Sequence, residues 1–370
     1  MSRPQIIVNV SPALARRGTP TATGTAFLVY AGATGPADPV VCLTQAAALA
    51  ADVPAGVAAW VGDALSAGAP QVVVARAAAV DANAVTEAEW TTALDTLGDE
   101  HGAGQVLIPG VATAGAYAAL LAHSAATGRT VLLDGAADDD AATLAAAATG
   151  LAAADGASRA GLIAPWVTVP SVGGATRDVP GSVFAAALAA RGDAIVGHAN
   201  HAPAGDQGRG AGVINAGKAV TAVFSNTELD TLNDAGVSVI RMINGTPTLY
   251  GWRSVSDDPR FGQLNAGRFS MQLGGGVFGA CAQFLFRQID GSGLLFAEIE
   301  GALRGYLQPL WATGALYGTT ADEAFDVSVA DVNTPATIAA GEIHAAVEVA
   351  LTPHTEKVVI DVVTTVAEGA

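Results

Sequence analysis

The sequence has few cysteines, few aromatic residues and little positive charge. Two cysteines, Cys42 and Cys281, stand far apart among 370 residues. They form neither a disulfide framework nor a zinc-binding spacing, so a reducing cytoplasm is the default compartment. Only 17 Lys and Arg residues face 34 Asp and Glu residues, which gives a net charge of −17. This balance argues against binding to nucleic acid or to an anionic membrane.

Long apolar runs and catalytic signatures are also missing. The N-terminal stretch MSRPQIIVNVSPALARRG lacks the apolar core of a signal peptide, and no segment approaches a membrane-spanning length without glycine, proline or charge. We therefore expect the protein to remain inside the cell that makes it. The sequence has no G-x-S-x-G elbow, and neither cysteine has a neighbouring partner typical of a nucleophile. We expect no enzyme activity, no cofactor and no metal site.

Two groups of possible metal ligands have simpler interpretations. Asp134 and Asp138–Asp140 follow a predicted strand and could hold magnesium. Acids in this place more commonly cap the next helix and favour its dipole, which is the preferred interpretation. His198 and His201 in the motif HANH are two imidazoles on a loop, which is too few for a metal site.

Two glycine-rich motifs resemble nucleotide-binding loops. Gly212–Ala219 (GVINAGKA) misses the phosphate-binding pattern at its last position, where a hydroxyl should hold magnesium. An irregular surface loop is the preferred interpretation. Gly274–Gly279 (GGGVFG) matches G-x-G-x-x-G between a predicted strand, RFSMQL, and a predicted helix, ACAQFLFRQI. The acid-terminated second strand of a dinucleotide site does not follow. A cytoplasmic α/β oxidoreductase or transferase that uses a nucleotide stays open as the alternative function.

Strands and helices alternate from about Gly24 to Val169. Predicted strands such as QVVVARA, QVLIPG and TVLLDG are separated by predicted helices such as TAGAYAALLAHSAATG, and AGLIAPWVTV is predicted as one strand. A capping box formed by Thr86 and Glu89 opens one helix. This spacing requires crossover connections and predicts a mostly parallel sheet.

The pattern changes after Pro170. A second capping box pairs Ser225 with Glu228 after a long polar, glycine-rich loop, and Asn244-Gly245 predicts the turn of a β-hairpin. A later helix, GLLFAEIEGALRGYLQPLW, carries one apolar stripe, formed by Leu295, Ile299, Leu303 and Leu307. FDVSVA and GEIHAAVEVAL alternate with period two and are predicted as half-buried strands.

Both ends of the chain are rich in β-forming residues. The N-terminal run contributes Ile6, Ile7, Val8 and Val10, and the C-terminal run contributes Val358, Val359, Ile360, Val362, Val363 and Val366. An unprotected terminal strand is an aggregation hazard unless a sheet receives it. Two interpretations of the C-terminal run stay open. It pairs with GEIHAAVEVAL as a local hairpin, or it completes a sheet of another subunit.

These patterns predict an α/β fold, with a mixed sheet body, flanking helices and extended β-strand arms at both termini. The predicted divisions are an N-terminal arm over 1–20, an α/β domain over 21–179, a second domain over 180–352 and a C-terminal arm strand over 353–370.

An ordered series of short motifs runs through the second half of the chain. In order, they are Ala190-Arg191-Gly192-Asp193, the run Leu232-Asn233-Asp234-Ala235-Gly236-Val237-Ser238, Gly251–Val255, Leu310-Trp311 with Gly314-Ala315-Leu316 and Gly318, Glu323-Ala324-Phe325 with Val327, Asn333-Thr334, Gly341-Glu342-Ile343, and Pro353 with Glu356. This series resembles the C-terminal part of contractile tail sheath proteins from myovirus tails, R-type tailocins and related injection systems. The resemblance covers residues 180–360, nearly half the chain, and the first half is similar only in its α/β layout.

The resemblance implies a structural subunit of a contractile tail sheath, with 180–352 as the sheath-type C-terminal domain. Such subunits polymerise as stacked hexameric rings around an inner tube and contract to drive the tube through a target envelope. The implied partners are other copies of the chain, the inner tail tube protein, and baseplate and tail terminator proteins. Assembly in the cytoplasm of a bacterial host and incorporation into a virion tail or contractile particle are also implied. A non-contractile tube or shell protein is a second alternative.

The resemblance also assigns roles to particular segments. Both terminal arms would add strands to sheets on neighbouring subunits, and the receiving sheet would contain Ile343, Val347 and Val349. The predicted helix over 293–311 would face the inner tube, where charge contacts are expected from Glu298, Glu300 and Arg304. The alternative that these charges are only solvated stays open.

Overall fold

A computed structural model describes residues 23–289 and 291–356. The predicted strands of the two arms, at residues 6–10 and 358–366, lie outside the described residues, so both arms stay predictions.

The first part of the chain alternates strands and helices, as its pattern predicts. Its elements are β1 (Thr25–Ala31), β2 (Val40–Cys42), α1 (Gln45–Ala50), α2 (Ala55–Ala67), β3 (Val72–Ala77), α3 (Glu87–Asp95), β4 (Gly104–Leu107), α4 (Ala114–Thr127), β5 (Thr130–Asp134), α5 (Ala141–Leu151), β6 (Ala160–Ala164), β7 (Val167–Pro170) and β8 (Thr176–Val179). The second part has α6 (Gly181–Val196), β9 (Ala219–Val220), α7 (Asn226–Asp234), β10 (Val237–Ile243), β11 (Thr246–Leu249), α8 (Leu264–Cys281), α9 (Leu294–Ala312), α10 (Ala321–Ala324), β12 (Phe325–Ser328), α11 (Pro335–Ala339) and β13 (Ala346–Val349).

An eight-stranded mixed sheet occupies the centre, in the order β11-β10-β6-β5-β4-β1-β3-β2. The six inner strands run parallel, while β2 and β11 are antiparallel to their neighbours at the two edges. In the register of the central strands, Phe27 is paired with Val73 on one side and with Val106 on the other. The predicted α/β class, with a mixed sheet and flanking helices, is confirmed.

Apolar side chains fill a separate layer on each face of this sheet. In β1, Leu28 belongs to the layer covered by α2 and α6, whereas Phe27 belongs to the layer covered by α3, α4 and α5. Helix α6 has no charge in its first ten residues and is buried along them, with Phe184 and Leu188 fully enclosed. Complete burial of such a side chain contributes about 1.5–3 kcal/mol. The inner strands are almost uniformly apolar because helices cover both of their faces.

Local signals at helix ends and at the hairpin are confirmed. The two predicted capping boxes, at Thr86 and Ser225, are both present. Asn244 has a φ of 50° and Gly245 a φ of 80°. A two-residue turn that matches the twist of its strands requires such left-handed residues, so the turn between β10 and β11 is explained.

The strand-to-helix context predicted for Gly274–Gly279 is wrong. These residues lie inside α8, which is a single helix. Glycine serves close packing here, because a Cβ on Gly276 would lie 1.9 Å from the ring of Tyr306 in α9. The arrangement that a dinucleotide fingerprint requires is therefore missing at this motif.

The segment AGLIAPWVTV, predicted as one strand, forms two. Strand β6 ends at Ala164, and β7 leaves the central sheet to pair with β8 and β9 in a small antiparallel sheet. Pro165 has no N–H for a sheet ladder, which accounts for the break. The sequence patterns also missed β2, α1 and β8, because elements of three to six residues give too little periodicity.

The long glycine-rich loop covers the edge of β11. The N–H of Ile214 donates to the carbonyl of Pro247, and the N–H of Leu249 donates to the carbonyl of Gly212, both at 2.9 Å. Glycine is needed at 212 because a Cβ there would lie 2.6 Å from the carbonyl oxygen of Leu249. The motif that resembled a phosphate-binding loop thus protects a sheet edge.

A third apolar cluster is built by α9, β12 and β13, together with part of α8. Helix α8 joins this cluster to the body, because Leu264 packs in the first layer of the sheet and Phe269 in the third cluster. The predicted division at 179/180 falls between β8 and α6, and strands β10 and β11 beyond it belong to the central sheet. Among the described residues, no helix has the length and apolar character to cross a membrane.

Asp134 at the end of β5 is a buried carboxylate that joins three parts of the body. It accepts hydrogen bonds from the N–H of Gly110 at 3.0 Å, and from the N–H and Oγ of Ser182 at 2.8 and 2.6 Å. Desolvation raises the pKa of Asp134 to about 6, although these donors act in the opposite direction. Of the acids downstream, Asp140 is the N-cap of α5, as predicted, whereas Asp139 accepts from the N–H of Ala136 in the turn before the helix.

The raised pKa of Asp134 predicts a pH dependence of stability. Between about pH 4 and pH 6 the folded chain holds a proton that the unfolded chain has released, so the contribution of Asp134 to stability falls as the pH rises through this window. Ser182→Ala removes one donor to the charged carboxylate. We expect it to lower the free energy of unfolding by about 1–3 kcal/mol at pH 7.5 and by less at pH 4.5, measured by urea denaturation.

The matched control is Ser270→Ala in α8. The Oγ of Ser270 is also buried but donates to the uncharged carbonyl of Gly267 at 2.7 Å. Loss of this hydrogen bond should lower the free energy of unfolding by less, and by the same amount at both pH values. Equal losses at both pH values for Ser182→Ala would contradict the charged role of Asp134.

Candidate assembly interface

The two-stranded sheet of β12 and β13 is the candidate receiving sheet. The strands are antiparallel, with Phe325 opposite Val349 and Val327 opposite Val347. Phe325 and Val327 are buried against the third cluster, Val347 and Val349 are partly buried there, and Glu348 is exposed. This alternation is the period-two pattern of a sheet with one packed face.

The outer edge of β13 is open among the described residues. The N–H of Ala350 donates to the carbonyl of Ala324 at 2.9 Å. In an antiparallel ladder only every second residue pair is hydrogen-bonded, so the next hydrogen-bonded pair is Asp326 with Glu348. The backbone N–H and C=O groups of Val347 and Val349 consequently point away from β12. Within residues 23–289 and 291–356 this sheet has two strands only. It therefore offers an edge that a further strand could join.

Arg304 of α9 lies over the other edge of the sheet. Its Nε is 3.1 Å from Oε1 of Glu300, and its Nη2 is 3.4 Å from both a carboxylate oxygen of Asp326 and the carbonyl of Val327. Asp322 is a weaker partner at 3.8 Å. Glu298 on the same helix pairs with Arg287. The three residues predicted to face an inner tube thus have charged partners within their own chain, and each keeps more than a third of its side-chain surface exposed.

The apolar stripe predicted for α9 is confirmed. Leu295, Ile299, Leu303 and Leu307 are buried, and Leu310 extends the stripe. The stripe packs on β12 and α8 and leaves the charged face outward. The sequence thus fixes which face of α9 is available for contacts with another molecule.

The motif from Leu310 to Val327 builds the turn between α9 and β12. Nε1 of Trp311 donates to the carbonyl of Gly318 at 2.9 Å. Gly318 must be glycine because a Cβ would lie 2.8 Å from the backbone nitrogen of Ala324. Glu323 accepts from the N–H and Oγ1 of Thr319, and these bonds lower its pKa. This part of the resemblance therefore consists of residues that build the turn leading into β12.

Asn333 closes the connection between β12 and β13. Its Oδ1 accepts from the N–H of His344 at 2.8 Å, and its Nδ2 donates to the carbonyls of His344 and Val329. Ile343, predicted as part of the receiving sheet, lies in this connection, three residues before β13, and packs against the third cluster. Val347 and Val349 lie in β13 itself.

No three His, Cys, Asp or Glu side chains within the described ranges converge as metal ligands. His198 and His201 are buried instead in a polar contact between α6, α8 and the segment that contains His354. Sequence reasoning missed Arg268 in this region, which is fully buried and pairs with Asp193 at 2.6 Å. Its one signal was that it is the only charged residue in α8.

The matches to known proteins are to solved structures. No family model and no curated protein matches the sequence. The fold is similar to a chain of the six-fold symmetrised anti-feeding prophage baseplate, with a TM-score of 0.74 and 19% identity over 99% of this chain and 100% of that one. It is also similar to the anti-feeding prophage helical sheath in the contracted state, with a TM-score of 0.73 and 20% identity over 98% and 99% of the two chains. The fold is that of a contractile sheath subunit.

A further sheath structure extends this result. The contracted PVC sheath complex of an extracellular contractile injection system matches with a TM-score of 0.73 and 16% identity, over 99% of this chain and 98% of that one. The sheath fold thus includes the first half of the chain, where the sequence showed only a similar layout. At such identities the likeness establishes the fold, while the contacts of this chain must be argued from its own residues.

Arg304→Gln tests whether the charges on α9 stabilise the fold. Half-exposed ion pairs contribute little, so we expect a loss of less than about 1 kcal/mol in the free energy of unfolding. The loss should shrink further in 0.5 M salt because salt screens the pairs. Urea denaturation provides the measurement, with Arg287→Gln on the partner of Glu298 as the control. A loss above about 2 kcal/mol that salt leaves unchanged would contradict this weak structural role.

Proposed function

We propose that this protein is the structural subunit of a contractile sheath, which polymerises around an inner tube and shortens to drive the tube through a target envelope. The observation that carries the proposal is the sheath fold over nearly the whole chain, combined with an open strand edge and β-rich termini. The proposed partners are other copies of the chain in stacked hexameric rings, the inner tube protein, and baseplate and terminator proteins. The proposed site of assembly is the cytoplasm of a bacterial host.

The outer edge of β13 is the proposed acceptor for a strand from a neighbouring copy. Val347 and Val349 present backbone donors and acceptors there, and their side chains give a half-apolar face for an incoming strand. The run from Val358 to Val366 begins two residues after the last described residue and has the β-branched composition of such a strand. The N-terminal run from Ile6 to Val10 is proposed as a second donated strand.

The free energy gained by adding one strand at one edge is modest, but a polymer repeats this contact in every subunit. Each main-chain hydrogen bond contributes about 0.5–1.5 kcal/mol net. A polymer forms many such joints at once, which makes it hard to dissolve. The body between the termini, with its two packed layers, would move as a rigid unit when the polymer changes length.

No catalytic activity is proposed for the chain. The motif that could have held a dinucleotide is helical, and the motif that could have held a phosphate covers β11. These observations count against the oxidoreductase or transferase alternative. A non-contractile tube remains the second alternative, and it would give one tube diameter in electron micrographs where a contractile sheath gives two.

The charged face of α9 is proposed to meet the inner tube. Glu298, Glu300 and Arg304 are half exposed and stand opposite the buried stripe. Their partners within the chain hold the side chains in place, so the face would present an ordered charge pattern to the tube. Charge contacts of this kind mainly determine specificity and association rate.

The donated strand is tested by removing residues 357–370. The shortened chain should stay folded, because all the described elements end before this point, and should form no long tubes by negative-stain electron microscopy. Val347→Pro should have a similar effect in the full chain. It removes one outward N–H of β13, while the bonds toward β12 are made by the neighbouring residues.

A cross-linking experiment distinguishes exchange between copies from a local hairpin. Chains carrying Val347→Cys are mixed with chains carrying Ile360→Cys, in a background with both native cysteines changed to serine, and treated with a short thiol cross-linker during assembly. Exchange predicts cross-linked dimers in a denaturing gel. A chain carrying both substitutions that yields only internally linked monomers, beside tubes of normal length, would refute the proposed exchange.

A further inference from the structure

Both ends of the described chain meet one buried polar junction. The N-terminal root, residues 23–24, reaches it through Thr23, and the C-terminal root, residues 352–356, reaches it through Thr352 and His354. The junction consists of Asp193 and Asn200 on α6 and the loop after it, and Asn265 and Arg268 on the first turns of α8. All four junction residues are largely buried.

The N-terminal root is held by a charged pair. Oγ1 of Thr23 donates to Oδ2 of Asp193 at 2.6 Å, and the same oxygen lies 2.6 Å from Nη2 of Arg268. Nη1 of Arg268 donates to the other oxygen of Asp193 at 3.1 Å, so the pair is bidentate. Bidentate pairs of this type are the strong and geometrically specific ones. Beside Thr23, a Cβ on Gly24 would touch Pro70 and Ala190 at 3.2–3.4 Å, so the root lies close against the body.

The C-terminal root is held by a chain of amide contacts whose directions are fixed. Nδ2 of Asn200 donates to the carbonyls of Ala315 and Thr352, at 2.7 and 3.2 Å. A carbonyl can only accept, so Oδ1 of Asn200 must face Asn265, whose Nδ2 donates to it at 2.6 Å. The same Nδ2 lies 3.2 Å from Nδ1 of His354, which must therefore accept and be unprotonated.

Two outer contacts complete the C-terminal root. Glu356 pairs with Arg253 at 3.1 Å and accepts from Nε2 of Gln263 at 3.2 Å. The side chain of Gln263 also donates to the carbonyl of His354 at 3.3 Å. The last described residues before the C-terminal run are thus tied to Gln263 at the start of α8 and to Arg253 in the loop before it.

We propose that this junction couples the two terminal segments to each other through α8, so that tension or binding at one end changes the hold on the other. Asn265 and Arg268 are one turn apart on the same rigid helix, and they hold the C-terminal and N-terminal roots respectively. The use of this coupling in a polymer rests on the proposed strand exchange. The coupling itself is a property of the single chain.

The neutral state of His354 gives the junction a dependence on pH. Burial lowers the pKa of His354, His198 nearby acts in the same direction, and Glu356 opposes them. His201 also interacts electrostatically with His354. Protonation would place a donor on Nδ1 against the donor of Asn265. A buried neutral histidine loses its contribution to stability as the pH falls below its unfolded value near 6.5. The hold on the C-terminal root should therefore weaken on acidification.

The experiment uses hydrogen exchange of the full chain at a concentration where it does not assemble. Thr23→Val removes the hydroxyl that binds Asp193 and keeps the shape of the side chain. The coupling predicts that peptides covering residues 350–356 exchange about two- to fivefold faster in this variant, although no substituted atom touches them. Thr25→Val is the matched control, because Thr25 binds Gln71 and not the junction. Its exchange at 350–356 should equal that of the natural sequence.

The reverse direction uses two variants at the C-terminal root. Asn265→Ala should speed exchange in peptides covering 23–26. Arg253→Gln removes the outer contact of Glu356 and a contact with Asn233, neither of which touches α8, and should leave exchange at 23–26 unchanged. Unchanged exchange at 350–356 in Thr23→Val would overturn the coupling. Tube formation by the same variants is measured separately. The hydrogen-exchange result therefore tests the coupling even if no strand is donated between subunits.

Discussion

The covering of both faces of a parallel sheet is the constraint on which the rest of this structure depends. Parallel neighbours require crossovers, and the crossovers place α2 and α6 on one face and α3, α4 and α5 on the other. Once both faces are covered, the edges are the parts of the sheet where backbone groups can meet another chain. The edges of the central sheet are covered or short, whereas the outer edge of β13 is open within the described residues, and the proposed strand exchange rests on this difference.

The two edges of the central sheet are closed to further strands by simple means. Strand β2 is only three residues long, and the loop around Gly212 occupies the free side of β11. Short or covered edges are the usual protection against uncontrolled pairing. The small sheet of β12 and β13 has no such cover on the side of Val347 and Val349 within the described residues. An edge left open in a chain that protects its others is a reasonable place for a specific partner strand.

The polar junction at α8 has a mechanical interpretation in the proposed assembly. A buried ion pair costs desolvation energy, and its net effect on stability is often small. Its value here lies in geometry, because Asp193, Arg268 and Asn265 fix the positions of Thr23 and His354, near the two ends of the described chain. In the proposed strand exchange, a subunit that donates its ends to neighbours would need those positions to be rigid.

The sequence by itself determined the α/β class, most strands and helices, the capping boxes, the hairpin turn at Asn244-Gly245 and the buried stripe of α9. These features depend on neighbours within a few residues, where periodicity, capping and turn chemistry are decisive. Tertiary structure decided the rest. Glycine at 276 and 212 serves close approach between distant segments, so its local pattern resembled nucleotide loops that the chain does not form. The open edge of β13 and the junction of Thr23 with Arg268 join residues far apart in sequence, and the chemistry of such contacts appears only when the chain is folded.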